Sequence, residues 1–389
     1  MFTRVLKDRL IDAALKHPVI TLLGPKGAGK TTLIQSCFSY AYVTMEDLDT
    51  RDFARSDPWN FLYHHYDPTG SLIIDEIQYL PQLLPYIEQV VRKKPFPGSF
   101  ILTSSRRLPV EYLDSQSIAF TLLPPSIGEI ETFFASPTTL ETQLFRGCFP
   151  SVLNGDVTPE AYYSSMVHTF VEKELPRQLK VFDPDAFTLF IKLCAGRIGQ
   201  AVNFSSLGHE VGVSHNTAKS WLSLLEDNYF TFFLQPYQEG YGKRAVKTAK
   251  LYFYDTGLAC WLLGIRSAEQ LATHYLKAEL FKSLIISNFI KQKHHHALAQ
   301  QYYFWQDKSG NEVDCLIEEE GRLRPIDIKA GRTTTPQYFE RLMFWNSLAK
   351  QDPTHHLVIY AGDQQQENSQ GLVLGWRSVE NIELLTTEI

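Results

Sequence analysis

Residues 19–34 read VITLLGPKGAGKTTLI, an apolar strand, a glycine-rich turn and the start of a helix. Gly24, Gly29, Lys30 and Thr31 meet the spacing G-x-x-x-x-G-K-[ST] in the strand, loop and helix setting that gives it physical meaning. Glycines let successive backbone N–H groups turn inward with no Cβ in the way, and a helix opening at Lys30 aims its positive dipole end at the same point. A polyphosphate fits such a hollow. Backbone contacts are expected from Gly24, Gly27, Ala28, Gly29 and Thr32, the Lys30 ammonium is expected on the β and γ phosphates, and the Thr31 hydroxyl on magnesium.

Residues 71–80, SLIIDEIQYL, carry the second half of that chemistry. An apolar strand buried in a parallel sheet and ending in acids at its C-terminal edge is what a magnesium-holding aspartate requires. Asp75 is therefore expected on the metal, and Glu76 beside it is placed to polarise a water for attack on the γ phosphate. A third apolar run, SFILTSS at residues 99–105, ends in hydroxyl residues, and Thr103 or Ser105 could sense the γ phosphate or the attacking water.

The chain has 389 residues, 44% hydrophobic and 21% charged, which suits two or three globular units and leaves no large part to disorder. A net charge of -6 argues against a surface coated for non-specific nucleic-acid binding, though not against a local basic groove. Cys37, Cys148, Cys194, Cys260 and Cys315 form no C-x-x-C pair, which fits reduced thiols in a cytoplasmic protein better than disulfides or zinc. The first twenty residues have amphipathic helical spacing without the apolar run of a signal peptide, and no 18-residue apolar stretch predicts a membrane span.

The set LLGPKGAGKTTL, SLIIDEIQYLP, FILTSS, LLPPSIGEI and FRGCFPS resembles the prokaryotic AAA-type ATPases that carry a C-terminal domain of unknown function 4143. The resemblance continues through residues 197–230, 243–258 and 312–331 and so spans nearly the whole chain. It implies an α/β protein: a P-loop NTPase core with a parallel sheet, a helical lid, a winged helix and a C-terminal restriction-endonuclease-like α/β domain. The expected boundaries are residues 1–126 for the ATPase core, 127–174 for the lid, 175–240 for the winged helix and 241–389 for the nuclease-like domain. Two positions depart from the family pattern. The third strand reads Thr103, Ser104, Ser105, Arg106 where Thr-Gly-Ser is common, and FVEKEL places Lys173 where Glu-Arg-Asp is usual, a point charge without the guanidinium fork. AAA-type ATPases often work as rings, so the resemblance implies a homo-oligomer, an inference that Lys173 weakens.

The middle of the chain has helical spacing broken by Pro137, Gly147 and Pro150, then a helix over 185–194 and the rhythm helix, turn, helix, strand over 205–234. Ser205 and Ser214 read as helix caps and Gly212 as the turn. His215, Asn216 and Lys219 could face DNA, but the same helix ends in Glu226 and Asp227, which favours a structural role over base reading. Lys243, Arg244, Lys247 and Lys250 form the best candidate basic patch, with a solvated loop as the alternative.

Near the C-terminus, EVDCLIEEEGRLRPIDIKAG (residues 312–331) predicts a hairpin: a strand over 312–317, a turn over 318–321 and a partner strand over 324–329. Asp327 and Lys329 then share a face, with Asp314 opposite. This resembles the PD-(D/E)XK nuclease fold, which implies Asp314 and Asp327 as metal ligands and Lys329 as the group positioning water. In the related family the preceding helix reads Gly-x-Leu-Phe-Glu, whereas AELFKSLI puts Lys282 in the place of the glutamate. A positive charge about 6 Å from a divalent ion costs on the order of 5 kcal/mol at an effective dielectric near 20. Glu279, one helical turn earlier, could substitute as a ligand. His294, His295 and His296 read as an exposed loop.

The sequence thus predicts an ATPase using ATP and Mg2+, with the nuclease-like domain inactive. Two alternatives stay open: a slow, ATP-controlled switch that binds DNA or a protein partner, and an ATP-governed, metal-dependent DNA nuclease.

Overall fold

A computed structural model describes residues 3–66, 70–108, 117–134, 138–179, 183–238, 246–349 and 356–381. The chain divides into two compact units: residues 1–125 with 227–229 and 294–296, and residues 126–226, 230–293 and 297–389.

Unit 1 is built on a parallel five-stranded sheet of β1 (Val19–Leu23), β2 (Ala41–Thr44), β3 (Leu72–Asp75), β4 (Phe100–Ser104) and β5 (Ser117–Thr121) in the order β2-β3-β4-β1-β5. Residues of β3 and β4 are buried throughout because both faces are covered. Alternation sorts them: Leu72, Ile74, Phe100 and Leu102 enter one core, whereas Ile73 and Ile101 join Ile20, Leu22 and Leu33 in the other. The strand order decides the chemistry. β4 lies between β1, which feeds the glycine turn, and β3, which ends in the acids, so the tip of β4 stands between them.

Unit 2 begins with helices Ile127–Phe133, Leu140–Arg146, Pro150–Leu153 and Pro159–Thr169. Ser126 opens the first with a reciprocal cap, its hydroxyl accepting from Glu129 N while its own N–H donates to the Glu129 carboxylate. The helix Pro184–Ala195 precedes the pair Phe204–Val211 and His215–Asp227, with Gly212 left-handed at φ 82° between the latter two. Asn203, not Ser205, caps Phe204–Val211, because its side chain accepts from both Ser205 N and Ser206 N. Ser214 does cap its helix, accepting from Thr217 N at 3.1 Å.

An eight-stranded mixed sheet completes unit 2, formed by β6 (Thr231–Pro236), β7 (Lys250–Phe253), β8 (Gln301–Gln306), β9 (Glu312–Glu319), β10 (Arg322–Lys329), β11 (Leu357–Tyr360), β12 (Gln366–Asn368) and β13 (Gly371–Gly375). β6 pairs with β8 through Gln235 with Tyr303 and Pro236 with Phe304. Strands on either side of residue 240 therefore share one sheet. The β9–β10 turn is tighter than expected, a two-residue connection of Glu320 (φ 51°) and Gly321 (φ 78°), both positive as the twist of a hairpin favours.

The helix Lys277–His296 runs longer than the sequence predicts and takes in the triple histidine. His295 is buried and left-handed Ala297 ends the helix, so the expected exposed loop is a helical end instead. Among the described residues, no helix is long and apolar enough to cross a membrane.

Candidate nucleotide site and C-terminal carboxylate cluster

The glycine turn has a separate physical requirement at each end. Gly24 (φ 146°) packs so closely on the backbone that a Cβ would stand 2.0 Å from Leu122 O. Gly29 (φ 94°) caps the helix Lys30–Cys37, and a Cβ there would meet nothing within 4 Å. One glycine seats the turn on the sheet; the other leaves open space at the helix start. Arg4, only 6% exposed, ties the turn down from below, donating to Ala28 O at 2.9 Å and to Leu123 O at 2.6 Å.

Lys30 is buried, and its ammonium donates to Gly24 O at 3.0 Å, Pro25 O at 3.2 Å and Ser105 Oγ at 2.8 Å. Burial pulls its pKa below the ordinary lysine value, more than the neighbouring Glu76 and Asp75 carboxylates lift it. Glu76 Oε1 lies 3.6 Å from that ammonium and accepts from Ser105 Oγ at 2.7 Å, while Gln78 Nε2 donates to Oε2. Burial pushes the Glu76 carboxyl up, but Lys30, Gln78 and Ser105 together hold it below the usual range. Glu76 also sits at φ 56° and ψ 45°, a left-handed conformation that a non-glycine residue keeps only when its surroundings enforce it. The enforcing contact is a 2.9 Å bond from Glu76 N to Thr103 Oγ1.

Asp75 faces the other way. Its Oδ2 accepts from Thr31 Oγ1 and from Tyr42 OH, both at 2.8 Å, and its Oδ1 accepts from Thr103 Oγ1. The two candidate sensors thus divide the work: Thr103 holds both acids, and Ser105 bridges Lys30 to Glu76. Thr31 and Asp75 form an oxygen pair whose chemistry fits magnesium.

In unit 2 the β9–β10 register pairs Ile326 with Cys315 and so sets Asp327 opposite Asp314, with exposures of 0% and 1%. Lys329 Nζ lies 2.5 Å from Asp327 Oδ2, and Ile328 N donates to Asp314 Oδ2 at 2.8 Å. Burial and the nearby Asp314 charge push the Asp327 carboxyl well above the ordinary aspartate value. Burial alone would also raise Asp314, but the Lys282 ammonium and the Ile328 N–H hold it well below the carboxylate range. Lys282 Nζ stands 2.7 Å from Asp314 Oδ1 and 3.5 Å from Glu279 Oε1. An open polar cleft of about 300 Å³ lies here, lined in part by Lys250, Glu279, Lys282 and Glu312.

Residues 16–131 match the family model of an AAA domain, residues 277–379 that of a domain of unknown function, DUF4143, and residues 137–269 that of another domain of unknown function, DUF8612. The chain joins an AAA domain to a C-terminal DUF4143 domain. Uncharacterized proteins of Mycobacterium tuberculosis and Mycobacterium bovis are each 26% identical to it over 362 residues, covering 92% of this chain and 79% of the relative. Among solved structures, the Walker-type ATPase PABY2304 of Pyrococcus abyssi aligns at TM-score 0.45 and 15% identity over 67% of this chain and 96% of that one. AMPPCP-bound DnaA from Aquifex aeolicus aligns at TM-score 0.29 and 14% identity, over 57% and 86% respectively.

In the AAA domain the structure brings Lys30, Thr31, Asp75, Glu76, Thr103 and Ser105 into one bonded set. Gln78, Tyr42 and Arg4 belong to the same site and were missed. Gln78 stands two residues past Glu76 within SLIIDEIQYL, a signal the sequence does carry, whereas nothing local marks Arg4 or Tyr42. In the DUF4143 domain Asp314, Asp327 and Lys329 come together, but Glu279 meets Lys282 rather than a vacant ligand position. Among the described residues no three His, Cys, Asp or Glu side chains are grouped to hold a metal ion. The basic patch also needs correction: Lys250 is 6% exposed and pairs with Glu312 at 2.7 Å, Lys247 is exposed, and Lys243 and Arg244 lie outside the described residues. Pro137 lies outside them as well. Lys173 is exposed on the turn of π-helix Phe170–Glu174.

Proposed function

We propose that the AAA domain binds ATP with magnesium and hydrolyses it. The observation that carries this reading is the Ser105 hydroxyl, bonded at once to the Lys30 ammonium and to the Glu76 carboxylate. A triphosphate entering at Gly27, Ala28, Gly29 and Thr32 offers Lys30 a stronger partner than the Gly24 and Pro25 carbonyls, so the ammonium moves to the β and γ phosphates. Thr31 and Asp75 would hold magnesium, which neutralises charge on the phosphates when bound. Glu76, ionised at neutral pH, takes the proton of the attacking water, and Ser105 keeps its carboxylate aimed. Thr103 fixes the angle between the two acids.

The remaining layout is proposed with it: a core over 1–126, a lid over 127–174, a winged helix over 175–240 whose strand β6 joins the sheet of the next domain, and a nuclease-like domain over 241–389 that does not cut. The free thiols of all five cysteines support a cytoplasmic place. Lys30→Ala is expected to abolish ATP binding, and Glu76→Gln to bind ATP without turning it over. Unchanged turnover in the second variant would remove Glu76 from the role of base.

A second reading, an ATP-controlled switch for DNA or a protein partner, is favoured by the hold that Lys30, Gln78 and Ser105 have on Glu76, which slows hydrolysis until something releases it. Turnover measured with and without DNA, and at several protein concentrations for a homo-oligomer, separates the two readings. An ATP-governed nuclease requires plasmid cleavage with magnesium or manganese that Asp314→Ala abolishes.

A further inference from the structure

Lys282 projects from the helix Lys277–His296 with its side chain 14% exposed. Its ammonium lies 2.7 Å from Asp314 Oδ1, 3.5 Å from Glu279 Oε1 and 3.8 Å from Glu312 Oε1. Carboxylates from a helix (Glu279) and from β9 (Glu312, Asp314) thus lie within 4 Å of the Lys282 ammonium, and Asp314 and Asp327 are buried. Divalent cations are held by several oxygen ligands at about 2.0–2.6 Å, and here an ammonium stands among the carboxylates instead. The Lys282 nitrogen stands 2.7 Å from Asp314 Oδ1, the room a metal ion would need, and its charge repels any cation approaching the same cleft. Lys250 adds a second cation, 2.7 Å from Glu312, so two of the acids lining the cluster are already neutralised by lysines.

We propose that the Lys282 ammonium is a tethered cation that takes the place of a divalent ion, so that Lys282→Glu alone gives the chain a divalent-cation site that depends on Asp314. The exchange removes the blocking nitrogen and sets a carboxylate one helical turn from Glu279 and beside Asp314, a change of two charges at one point. The inference rests on the reading of the C-terminal domain as nuclease-like and metal-free, and it names the residue that makes it so.

Manganese titration of the full, nucleotide-free chain by calorimetry and by electron paramagnetic resonance tests it, using the wild type, Asp314→Asn, Lys282→Glu, and Lys282→Glu combined with Asp314→Asn. Lys282→Glu is expected to bind one more equivalent than the wild type, weakened roughly tenfold or more when Asp314 is also changed. Manganese binding by the wild type that Asp314→Asn removes would overturn both the tethered cation and the metal-free reading. A folded Lys282→Glu protein without the extra equivalent overturns the tethered cation and leaves the metal-free reading standing. Thermal unfolding with and without manganese covers a poorly folding variant: a rise in Tm specific to Lys282→Glu supports the inference, and its absence counts against it.

Discussion

The Thr31 hydroxyl donates to Asp75 Oδ2 at 2.8 Å, joining the first turn of the phosphate-loop helix to the tip of β3. Two oxygen groups from separate elements, one a carboxylate, are the protein's usual share of a magnesium ion that also binds phosphates. Asp75→Asn keeps an acceptor toward Thr31 and removes the charge. Triphosphate binding in EDTA is expected to persist, its gain from magnesium to vanish, and turnover to fall on the order of a hundredfold, the several kcal/mol a catalytic ion supplies. Titration of a fluorescent ATP analogue with and without magnesium checks this; an undiminished magnesium effect in the variant removes Asp75 from the ion.

Gly24 and Gly29 separate folding from binding within one turn. An alanine at 24 would drive its Cβ to 2.0 Å from a backbone oxygen that cannot swing away, so Gly24→Ala is expected to destabilise unit 1 by about 3 kcal/mol. Gly29→Ala meets no atom and costs only the left-handed backbone, about 1–2 kcal/mol, yet it places a methyl in the space a phosphate needs. Urea unfolding should therefore rank Gly24→Ala as the less stable variant, while triphosphate affinity falls in a folded Gly29→Ala protein. The reverse ranking would contradict the packing of Gly24 on Leu122.

Arg4 is a positioning residue, since it holds the Ala28 carbonyl of the phosphate loop and the Leu123 carbonyl that follows β5. Removing a donor from buried acceptors costs about 1–3 kcal/mol. Arg4→Ala is thus expected to raise KM for ATP more than it lowers kcat, because the loop loosens while Glu76 and Ser105 remain. Arg4→Lys should recover only part of the effect, one ammonium being unable to span two carbonyls as the planar fork does. Steady-state kinetics of both variants decide the point; a fall confined to kcat would place Arg4 nearer the chemistry.

Legibility in the sequence follows range. The phosphate loop, its helix and the acid-tipped strand are short segments whose composition dictates their form, and they appear where the sequence predicts them. The bond from Lys30 to Ser105 was not legible, because it depends on β4 lying between β1 and β3, an order set by long-range packing. The same holds for Arg4, whose partner Leu123 lies 119 residues further along the chain. Lys250 misled for a related reason: charge is visible in sequence but burial is not, and its ammonium lies 4.9 Å from the centre of the Phe304 ring and pairs with Glu312. At Lys282 helical spacing already sets the residue beside Glu279, whereas its contact with Asp314 depends on how the helix packs on β9. Asn203 displaced Ser205 as a cap because its carbonyl oxygen reaches two N–H groups at once.

Glu141 gives unit 2 a pH-dependent brace. Its side chain is 11% exposed, with Lys277 Nζ 2.8 Å from Oε1 and Arg332 Nη2 2.7 Å from Oε2. Burial pushes the carboxyl up, but the Lys277 bond, a backbone hydrogen bond and the charges of Lys277 and Arg332 leave it below the ordinary glutamate value. A carboxyl depressed in the folded state contributes stability that is fully present above its unfolded pKa of about 4.3 and is lost as pH falls through the folded value. Glu141→Gln is expected to cost about 1–3 kcal/mol at neutral pH, where it removes one charge and leaves two cations facing an amide. The gap between the variant and the wild type should close as pH falls below about 4, because the wild-type carboxyl is then protonated as well. Urea unfolding of both proteins across that range measures it, and a gap that stays constant down to strongly acidic pH would show that the brace acts through packing and not through charge.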